Sequence, residues 1–287
     1  MNDDHLQRVV SNGPQDAELS RYFDTRYGVE WCYMHAFPRA CFTPRLLDSL
    51  KGSFAEIRTQ PAGMVKYVVI ASSVPGTYNL GGDLALFQRY IYDRDRDGLL
   101  EYARKCVDLV YTMTIGVRPE TCGIMLVQGD ALGGGLEAAL SGDVLIAERN
   151  ARMGLPEVLF NLFPGMGAYS LLSRRIGPKA AERMILSGQI YAAEELYEMG
   201  IVDRLAEPGE GERAVYEFLE EDRRRANATR ALRAAKRLSN PVSYDELYAI
   251  TEVWVDAALN LTDRDLRMME RLVKRQSKRS EPASISA

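Results

Sequence analysis

Histidine is almost absent from this sequence, which has two among 287 residues and no G-x-S-x-G segment. His5 lies in a polar N-terminal stretch, and His35 lies in an apolar, strand-like run over residues 29–37. A hydrolase with a serine or cysteine nucleophile needs a histidine base that is held beside it. Because neither histidine is placed for that role, we expect carboxylates to carry any acid–base chemistry.

Cysteine is also scarce, and the sequence has no excess of positive charge. The four cysteines form no C-x-x-C pair, which excludes the common zinc spacings and a disulfide framework. The formal net charge of −4 argues against a nucleic-acid partner, since phosphate neutralisation needs a basic excess. We therefore expect no bound metal, no cofactor and no nucleic acid.

Long apolar runs are missing as well. No stretch approaches the roughly 20 residues that a membrane span requires, and the N-terminus lacks the basic and apolar regions of a signal peptide. The hydrophobic content of 46% and the charged content of 26% are those of an ordinary globular protein. These features predict a cytoplasmic protein without a membrane span.

Short apolar, β-branched runs alternate with helical patterns along the first two thirds of the chain. Strands are predicted at residues 66–71, 123–128 and 144–147, with helices after Pro44, from Leu84 and over residues 97–115. This alternation predicts an α/β fold with largely parallel pairing. We divide the chain into a polar N-terminal segment (1–20), an α/β core (21–206), a helical C-terminal oligomerisation or lid region (207–275) and a disordered tail (276–287).

Glycine-rich turns follow two of these strands, at residues 81–82 and 133–135. Glycine lets a backbone approach a ligand closely, and the first amides of the next helix have no partner within the helix. Ligands in open α/β folds bind beyond the carboxyl ends of strands. The two turns therefore predict a pair of backbone donors for a developing oxyanion.

Two glutamates accompany these turns, and both have an ordinary structural explanation. Glu137 falls in the first turn of a helix, where an acid complements the helix dipole. Glu157 lies within an apolar segment, where a buried carboxyl can simply bond to backbone, and where burial without a partner raises its pKa. The combination of two acids, two donor turns and apolar surroundings favours an acid–base site on Glu137 and Glu157.

A dinucleotide site is the competing interpretation of the second turn. Residues 133–138 read GGGLEA, which matches G-x-G-x-x-A after a strand, and Glu148 ends the next strand where a ribose-binding acid is expected. The helix that follows spans only about eight residues before residues 141–143, and the turn lies in mid-chain. Both features are atypical of a dinucleotide-binding unit, so this interpretation is weaker.

Three segments in order resemble the crotonase (enoyl-CoA hydratase/isomerase) superfamily. They are GDALGGGLE at 129–137, LPE through PGMG at 155–167, and AEELYEMGIVD at 193–203. The resemblance covers roughly residues 30–205 and implies a spiral of ββα units with a helical C-terminal trimerisation region. It also implies oxyanion amides on Gly82 and Gly134 and an acid–base pair on Glu137 and Glu157.

Other segments resemble one branch of that superfamily, the diffusible signal factor synthases. NLGGDLALF at 79–87, the stretch 155–169 and ITEVWVD at 250–256 carry this second resemblance. It implies a dehydratase and thioesterase that converts 3-hydroxyacyl-acyl carrier protein to a free cis-2-unsaturated fatty acid used in quorum sensing. Leu136, Met166 and Trp254 are the candidates for the acyl pocket, although packing of a helix at a core or subunit interface is the slightly stronger interpretation of Trp254.

Alternatives remain open for activity and partners. An enoyl-CoA hydratase or isomerase acting on free acyl-CoA is the second candidate, and a non-catalytic family member acting through protein contacts is the third. A basic run between Arg223 and Arg237 is either a solvated helix face or a docking surface for the acidic carrier protein. A homo-oligomer, such as a trimer, and a regulatory protein partner complete the expectations.

Overall fold

The computed structural model describes residues 18–36 and 38–279, and side chains as far as Arg271. Its main sheet has six strands in the order β1-β2-β3-β5-β7-β10, antiparallel between β1 and β2 and parallel elsewhere. The strands are β1 (Leu19–Asp24), β2 (Val29–Met34), β3 (Tyr67–Ser72), β5 (Cys122–Val127), β7 (Val144–Glu148) and β10 (Arg204–Ala206). Every residue of β3 and β5 is buried, as expected for parallel strands covered on both faces.

A second sheet of four short strands lies in the order β4-β6-β8-β9. Its members are β4 (Thr77–Asn79), β6 (Asp130–Leu132), β8 (Arg152–Gly154) and β9 (Ile190–Ala192). Three of them each follow a strand of the main sheet along the chain, so that β3-β4, β5-β6 and β7-β8 each lead into a helical segment. This arrangement confirms the predicted spiral of ββα units. The sequence analysis treated β4 and β6 as turns, because three residues are too few to show a period.

Helices connect the strands and build the C-terminal third. They are α1 (Pro44–Thr59), α2 (Leu84–Tyr92), α3 (Arg96–Ile115), α4 (Gly134–Leu140), α5 (Ala168–Ile176), α6 (Pro178–Ser187), α7 (Ala193–Glu198), α8 (Gly211–Arg224), α9 (Ala226–Ser239), α10 (Tyr244–Leu259) and α11 (Asp263–Arg279), with a 3₁₀ helix at Pro156–Phe160. Thr43 caps α1 by accepting a hydrogen bond from the Leu46 amide, with Pro44 at the first helical position. The predicted helices after Pro44, from Leu84 and over 97–115 are all present.

Two apolar clusters lie on opposite faces of the main sheet. Helices α1, α3 and α10 contribute to the larger one, while α8 covers the other face through Ala214, Val215 and Leu219. Glu148, at the end of β7, accepts a hydrogen bond from the Gly211 amide at the start of α8 (3.1 Å). The sequence around residues 207–212 resembles a linker, but α8 packs directly on the sheet. The helical C-terminal region is present, and its proposed boundary at residue 207 stays a prediction.

Several expectations concern the ends of the chain. Of the predicted polar segment 1–20, residues 1–17 lie outside the described residues, and Leu19 begins β1. Of the predicted tail 276–287, residues 276–279 continue α11 and the rest lies outside the described residues. Within the described ranges, no helix is long and apolar enough to cross a lipid bilayer.

Candidate active site

Two glycine turns approach each other at the ends of β4 and β6. Gly81 has φ +88° and Gly133 has φ +54°, backbone conformations that favour glycine. A Cβ on Gly135 would lie 2.0 Å from the Asn79 carbonyl oxygen, so only glycine allows this contact. Asn79 also fixes the first turn, because its side-chain oxygen accepts a hydrogen bond from the Gly81 amide (2.8 Å).

Gly82 and Gly134 lie beside each other on these two turns and line the same cavity. A Cβ built on Gly134 would lie 3.3 Å from the Gly82 nitrogen, which shows how closely the two turns approach. Neither amide donates a hydrogen bond to another group in the described part of the chain. Gly134 is the first residue of α4, where an unpaired amide is expected. Two free donors on neighbouring turns can hold one anionic oxygen between them.

Glu137 extends from the first turn of α4 and is 1% exposed. Its Oε1 accepts hydrogen bonds from the backbone amides of Met166 (2.8 Å) and Ala168 (3.0 Å). Ala168 is the first residue of α5, and Gly167 before it has φ +134°. The glycine turn at the start of this second helix therefore places backbone amides against the carboxyl group. The Thr251 hydroxyl contacts the Gly165 carbonyl (2.9 Å) and ties this turn to α10.

Glu157 lies in the 3₁₀ helix and points towards the second glycine turn. Its Oε1 lies 2.6 Å from where a Cβ on Gly133 would be, so that position also depends on glycine. Its Oε2 is enclosed and has no hydrogen-bond partner among the described residues. A buried carboxyl oxygen without a partner is costly in a purely structural role, and it is suited to a ligand or a proton.

Burial raises the pKa of both carboxyl groups above the ordinary glutamate value. For Glu157, desolvation acts first and the nearby charge of Glu137 adds to it. For Glu137, desolvation is opposed by the backbone amides of residues 166–168, which favour the ionised form. Two close carboxyl groups do not both ionise readily in an apolar site. Both carboxyl groups therefore hold a proton more readily than an exposed glutamate does, and the backbone amides favour ionisation of Glu137.

An apolar cavity of about 460 Å³ contains this site. Gly82, Gly134, Glu137 and Glu157 all line it, so the four residues that the sequence analysis selected meet at one cavity. Among the described residues, no group of three or more histidine, cysteine or carboxylate side chains is arranged to hold a metal ion. The arrangement can polarise a carbonyl and move protons on the carbons beside it.

Two of the three candidates for the acyl pocket line the cavity, and the third does not. Met166 and Trp254 line the cavity, and Trp254 also packs edge-on against Phe87 with their ring centroids 5.2 Å apart. A Cβ on Gly165 would lie 2.2 Å from the Trp254 ring, so glycine is required there for the close contact. Leu136 is different. It is fully buried in the core and does not line the cavity, because it projects from a different side of α4 than Glu137 does.

The sequence analysis missed most of the cavity wall. Helices α1 and α3 contribute a large share of it, from residues spaced three, four and seven apart: Leu47, Leu50, Phe54, Cys106, Leu109, Val110 and Met113. That spacing was visible in the sequence, but it is also the pattern of any helix that packs on a core. His35 takes no part in the site, and its ring contacts the Ser20 hydroxyl (3.0 Å).

Comparison with known proteins bears on this architecture. The family model described as enoyl-CoA hydratase/isomerase matches residues 35–249. The chain belongs to the enoyl-CoA hydratase/isomerase family. A curated relative, crotonyl-CoA hydratase from Syntrophomonas wolfei, is 31% identical over 165 residues, which span 57% of this chain and 60% of the relative. Family membership confirms the crotonase resemblance, and the aligned part is less than two thirds of that relative.

Solved structures share the fold at lower sequence identity. Human mitochondrial delta3-delta2-enoyl-CoA isomerase superposes with a TM-score of 0.75 at 18% identity, covering 91% of this chain and 98% of the isomerase. Pseudomonas aeruginosa DspI superposes with a TM-score of 0.62 at 24% identity, covering 79% of this chain and 82% of DspI. These two similarities establish the crotonase-like α/β fold.

Proposed function

We propose that this protein dehydrates a 3-hydroxyacyl thioester on acyl carrier protein and then hydrolyses the thioester. The product is a free cis-2-enoic acid of the kind used as a quorum-sensing signal. The observation that carries the proposal is the meeting of two enclosed carboxyl groups and two unpaired amides in one apolar cavity. The choice of carrier-bound substrate and free-acid product rests on the sequence resemblance to diffusible signal factor synthases.

The first step is an elimination. The thioester carbonyl oxygen accepts hydrogen bonds from the Gly82 and Gly134 amides, which acidifies the C2 proton. A carboxylate of the pair takes that proton, the C3–oxygen bond breaks, and a carboxylic acid protonates the departing hydroxyl to give water. A pair that shares one proton provides an acid and a base together. Glu137, which accepts two backbone hydrogen bonds, is the resting carboxylate, and Glu157 is the resting acid.

The second step is hydrolysis of the enoyl thioester. A water molecule attacks the carbonyl carbon while a carboxylate of the pair accepts its proton, and the oxyanion stays between Gly82 and Gly134. The carbon–sulfur bond then breaks, and the carrier thiol leaves with a proton. No serine or histidine is needed. This agrees with the position of His35, the only described histidine, outside the cavity.

An enoyl-CoA hydratase or isomerase is the second candidate function. The family and the name of the curated relative favour it, since that relative is a crotonyl-CoA hydratase. It would use the same carboxyl pair and amides on a free CoA ester. A non-catalytic role is a third candidate, and the presence of both glutamates beside both glycine turns counts against it.

Product analysis separates the three candidates. The purified protein is incubated with 3-hydroxydodecanoyl carrier protein and with the matching CoA ester, and products are identified by mass spectrometry. Free cis-2-enoic acid is the result we expect. Reversible hydration of trans-enoyl-CoA without release of free acid would instead establish the second candidate. Absence of turnover on both donors would leave the non-catalytic role.

The shared proton makes activity depend on pH in a specific way. As the pH falls through the raised pKa of Glu137, the resting carboxylate is lost; as it rises through the raised pKa of Glu157, the resting acid is lost. We expect a bell-shaped profile of kcat/KM with both limbs above the ordinary glutamate pKa of about 4.3. Rates measured across the pH range test this. A profile whose acid limb lies at the ordinary carboxyl value would contradict the shared proton.

The basic run between Arg223 and Arg237 is the candidate docking surface for the carrier protein, and part of it is free for that contact. Arg233 bonds to Asp222 (3.1 Å) and Arg237 bonds to Asp143 (3.0 Å), so these two residues of the basic run are engaged within the chain. The exposed residues Arg224, Arg225, Arg230 and Lys236 remain candidates for contact with an acidic carrier protein.

Helix α9 has no buried residue, and its Leu232 and Leu238 are 70% and 84% exposed. Exposed leucines on one helix support a homo-oligomer, and the trimer and a regulatory partner stay proposals.

A further inference from the structure

One branch of the cavity, which we call the acyl arm, follows helices α1 and α3 away from the glutamates. Two ion pairs show that these helices run in the same direction. Lys105 pairs with Asp48 (3.0 Å), and one turn further along both helices Lys51 pairs with Asp108 (3.3 Å). The arm is lined by Leu47, Leu50 and Phe54 of α1 and by Cys106, Leu109 and Met113 of α3. It is apolar throughout its helical walls.

The reacting end and the far end of the acyl arm can be told apart. Cys106 and Glu137 line the same cavity. Met113 is two helical turns further along α3, and Phe54 is two turns beyond Leu47 on α1. On α4, Ser141 follows Glu137 by one turn in the same direction and also lines the cavity. Between Cys106 and Met113 the arm therefore spans about 10 Å along α3.

A second hollow, of about 180 Å³, adjoins the acyl arm. Phe54 and Leu109 line both spaces and are 2% and 9% exposed. The other residues of the second hollow are mostly polar and bond to one another. Arg58 contacts Thr112 (3.2 Å), and Asp108 accepts hydrogen bonds from Lys51 (3.3 Å) and from Tyr244 (2.8 Å). A wall two side chains wide thus separates an apolar space from a polar one.

We propose that Phe54 and Leu109 form the wall between the acyl arm and the second hollow, which we call the end wall, and that this wall sets the longest acyl chain that the enzyme accepts. This inference rests on the proposed function for the identity of the chain as an acyl group. An extended chain advances about 1.2 Å per bond, so the arm holds about eight carbons beyond the reacting ones. Longer chains meet the Phe54 ring, which stands between the arm and the second hollow.

Binding of saturated free fatty acids of increasing length measures the end wall without any turnover. For the unaltered protein, affinity should rise with each carbon and stop rising once the arm is filled. Phe54→Ala vacates the space of the phenyl ring, and we expect chains two or more carbons beyond the limit to bind about tenfold more tightly relative to the shorter ones, as two further methylene groups buried in that space predict. Leu109→Ala should shift the limit in the same direction. Phe54→Leu, which removes less packing, serves if the alanine variant fails to fold.

The matched control is Ile57→Ala. Ile57 is on the same helix and 1% exposed, but it does not line the cavity, so its loss should leave the length limit unchanged. An unchanged limit in the Phe54 and Leu109 variants, or no binding of any chain, would overturn the end wall. Turnover of 3-hydroxyacyl thioesters of the same lengths is measured in parallel. If the variants shift the binding limit but the protein turns over no thioester, the proposed function is rejected and the end wall stands. If the protein turns over thioesters but the variants leave the binding limit unchanged, the end wall is rejected and the proposed function stands.

Discussion

Glu137→Gln and Glu157→Gln are each expected to lower kcat for dehydration by about 10²- to 10⁴-fold, the usual contribution of a positioned acid or base. Glutamine has nearly the shape of glutamate but neither accepts nor releases a proton in this pH range. At position 137 the amide oxygen can still accept the hydrogen bonds from Met166 and Ala168, so the surrounding turn keeps its contacts. Single-turnover assays with purified 3-hydroxyacyl carrier protein measure the chemical step directly.

The same substitutions are expected to leave the fold intact and to change the pH dependence of its stability. Some carboxyl groups have a higher pKa in the folded protein than in the unfolded protein. Such a group contributes its full stabilisation at a pH below its pKa in the unfolded protein, and this stabilisation is lost as the pH rises through its pKa in the folded protein. Glu157, which has an enclosed oxygen without a partner, belongs to this class. Glu157→Gln should therefore unfold at a higher temperature than the unaltered protein in alkaline buffer, with a smaller difference in acid. Thermal unfolding followed by circular dichroism across pH tests this.

Glu148→Gln is the matched control for both variants. Glu148 is 5% exposed and accepts a backbone hydrogen bond from Gly211, as Glu137 does from Met166 and Ala168, but it lies outside the cavity. Its replacement should leave turnover close to normal. Near-normal turnover of Glu137→Gln or Glu157→Gln would mean that the acid–base assignment is incorrect. Equal loss in all three variants would point to a general effect of removing a buried carboxyl.

The position of Glu148 also decides between two interpretations of the glycine turn. The pattern G-x-G-x-x-A formally suggested a dinucleotide site with Glu148 as the ribose acid. In the fold, Glu148 bonds to the start of α8, and the space beside the turn is occupied by the Glu157 carboxyl group. The turn therefore serves the cavity that contains the two glutamates.

The four residues that were predicted to form the site line one cavity, and each of them leaves a local signal in the sequence. Glycine repeats after strands mark Gly82 and Gly134, and acids in apolar or helix-starting positions mark Glu137 and Glu157. The acyl arm left no comparable signal. Phe54 and Met113 come from helices far apart in sequence, and their spacing is the same whether a helix faces a cavity or a solid core. Only the tertiary packing of α1 against α3 distinguishes the two.

Leu136 shows a second limit of sequence reasoning. It is adjacent to Glu137, which made it a natural candidate for the pocket, but neighbouring residues on a helix diverge by about 100°. When Glu137 faces the cavity, Leu136 faces the core. Similarly, the break at residues 207–212 suggests a linker by composition, whereas the apolar side chains of α8 complete one face of the main sheet. Tertiary contacts override composition in both cases.

Gly134→Ala is expected to lower kcat by about 10²- to 10³-fold, the usual cost of losing one oxyanion donor. The new methyl group would lie 3.3 Å from both the Gly82 nitrogen and the Gly81 Cα, in the space where the oxyanion belongs. Gly134 has no positive φ and begins α4, so alanine fits its backbone and favours the helix. The substitution should therefore keep α4 intact while the close contact displaces the Gly81–Gly82 turn and disturbs the alignment of the two amides.

Gly52→Ala gives the matched glycine control, because Gly52 lies on exposed α1 surface with no atom within 4 Å of the added methyl group. It should keep full turnover and gain slightly in thermal stability. Since the oxyanion forms only as the C2 proton leaves, Gly134→Ala should reduce kcat more than it weakens binding of a saturated acyl chain. If Gly134→Ala turned over at the rate of Gly52→Ala, the amides of Gly82 and Gly134 would not be the oxyanion donors. The two carboxyl groups would then need another source of carbonyl polarisation.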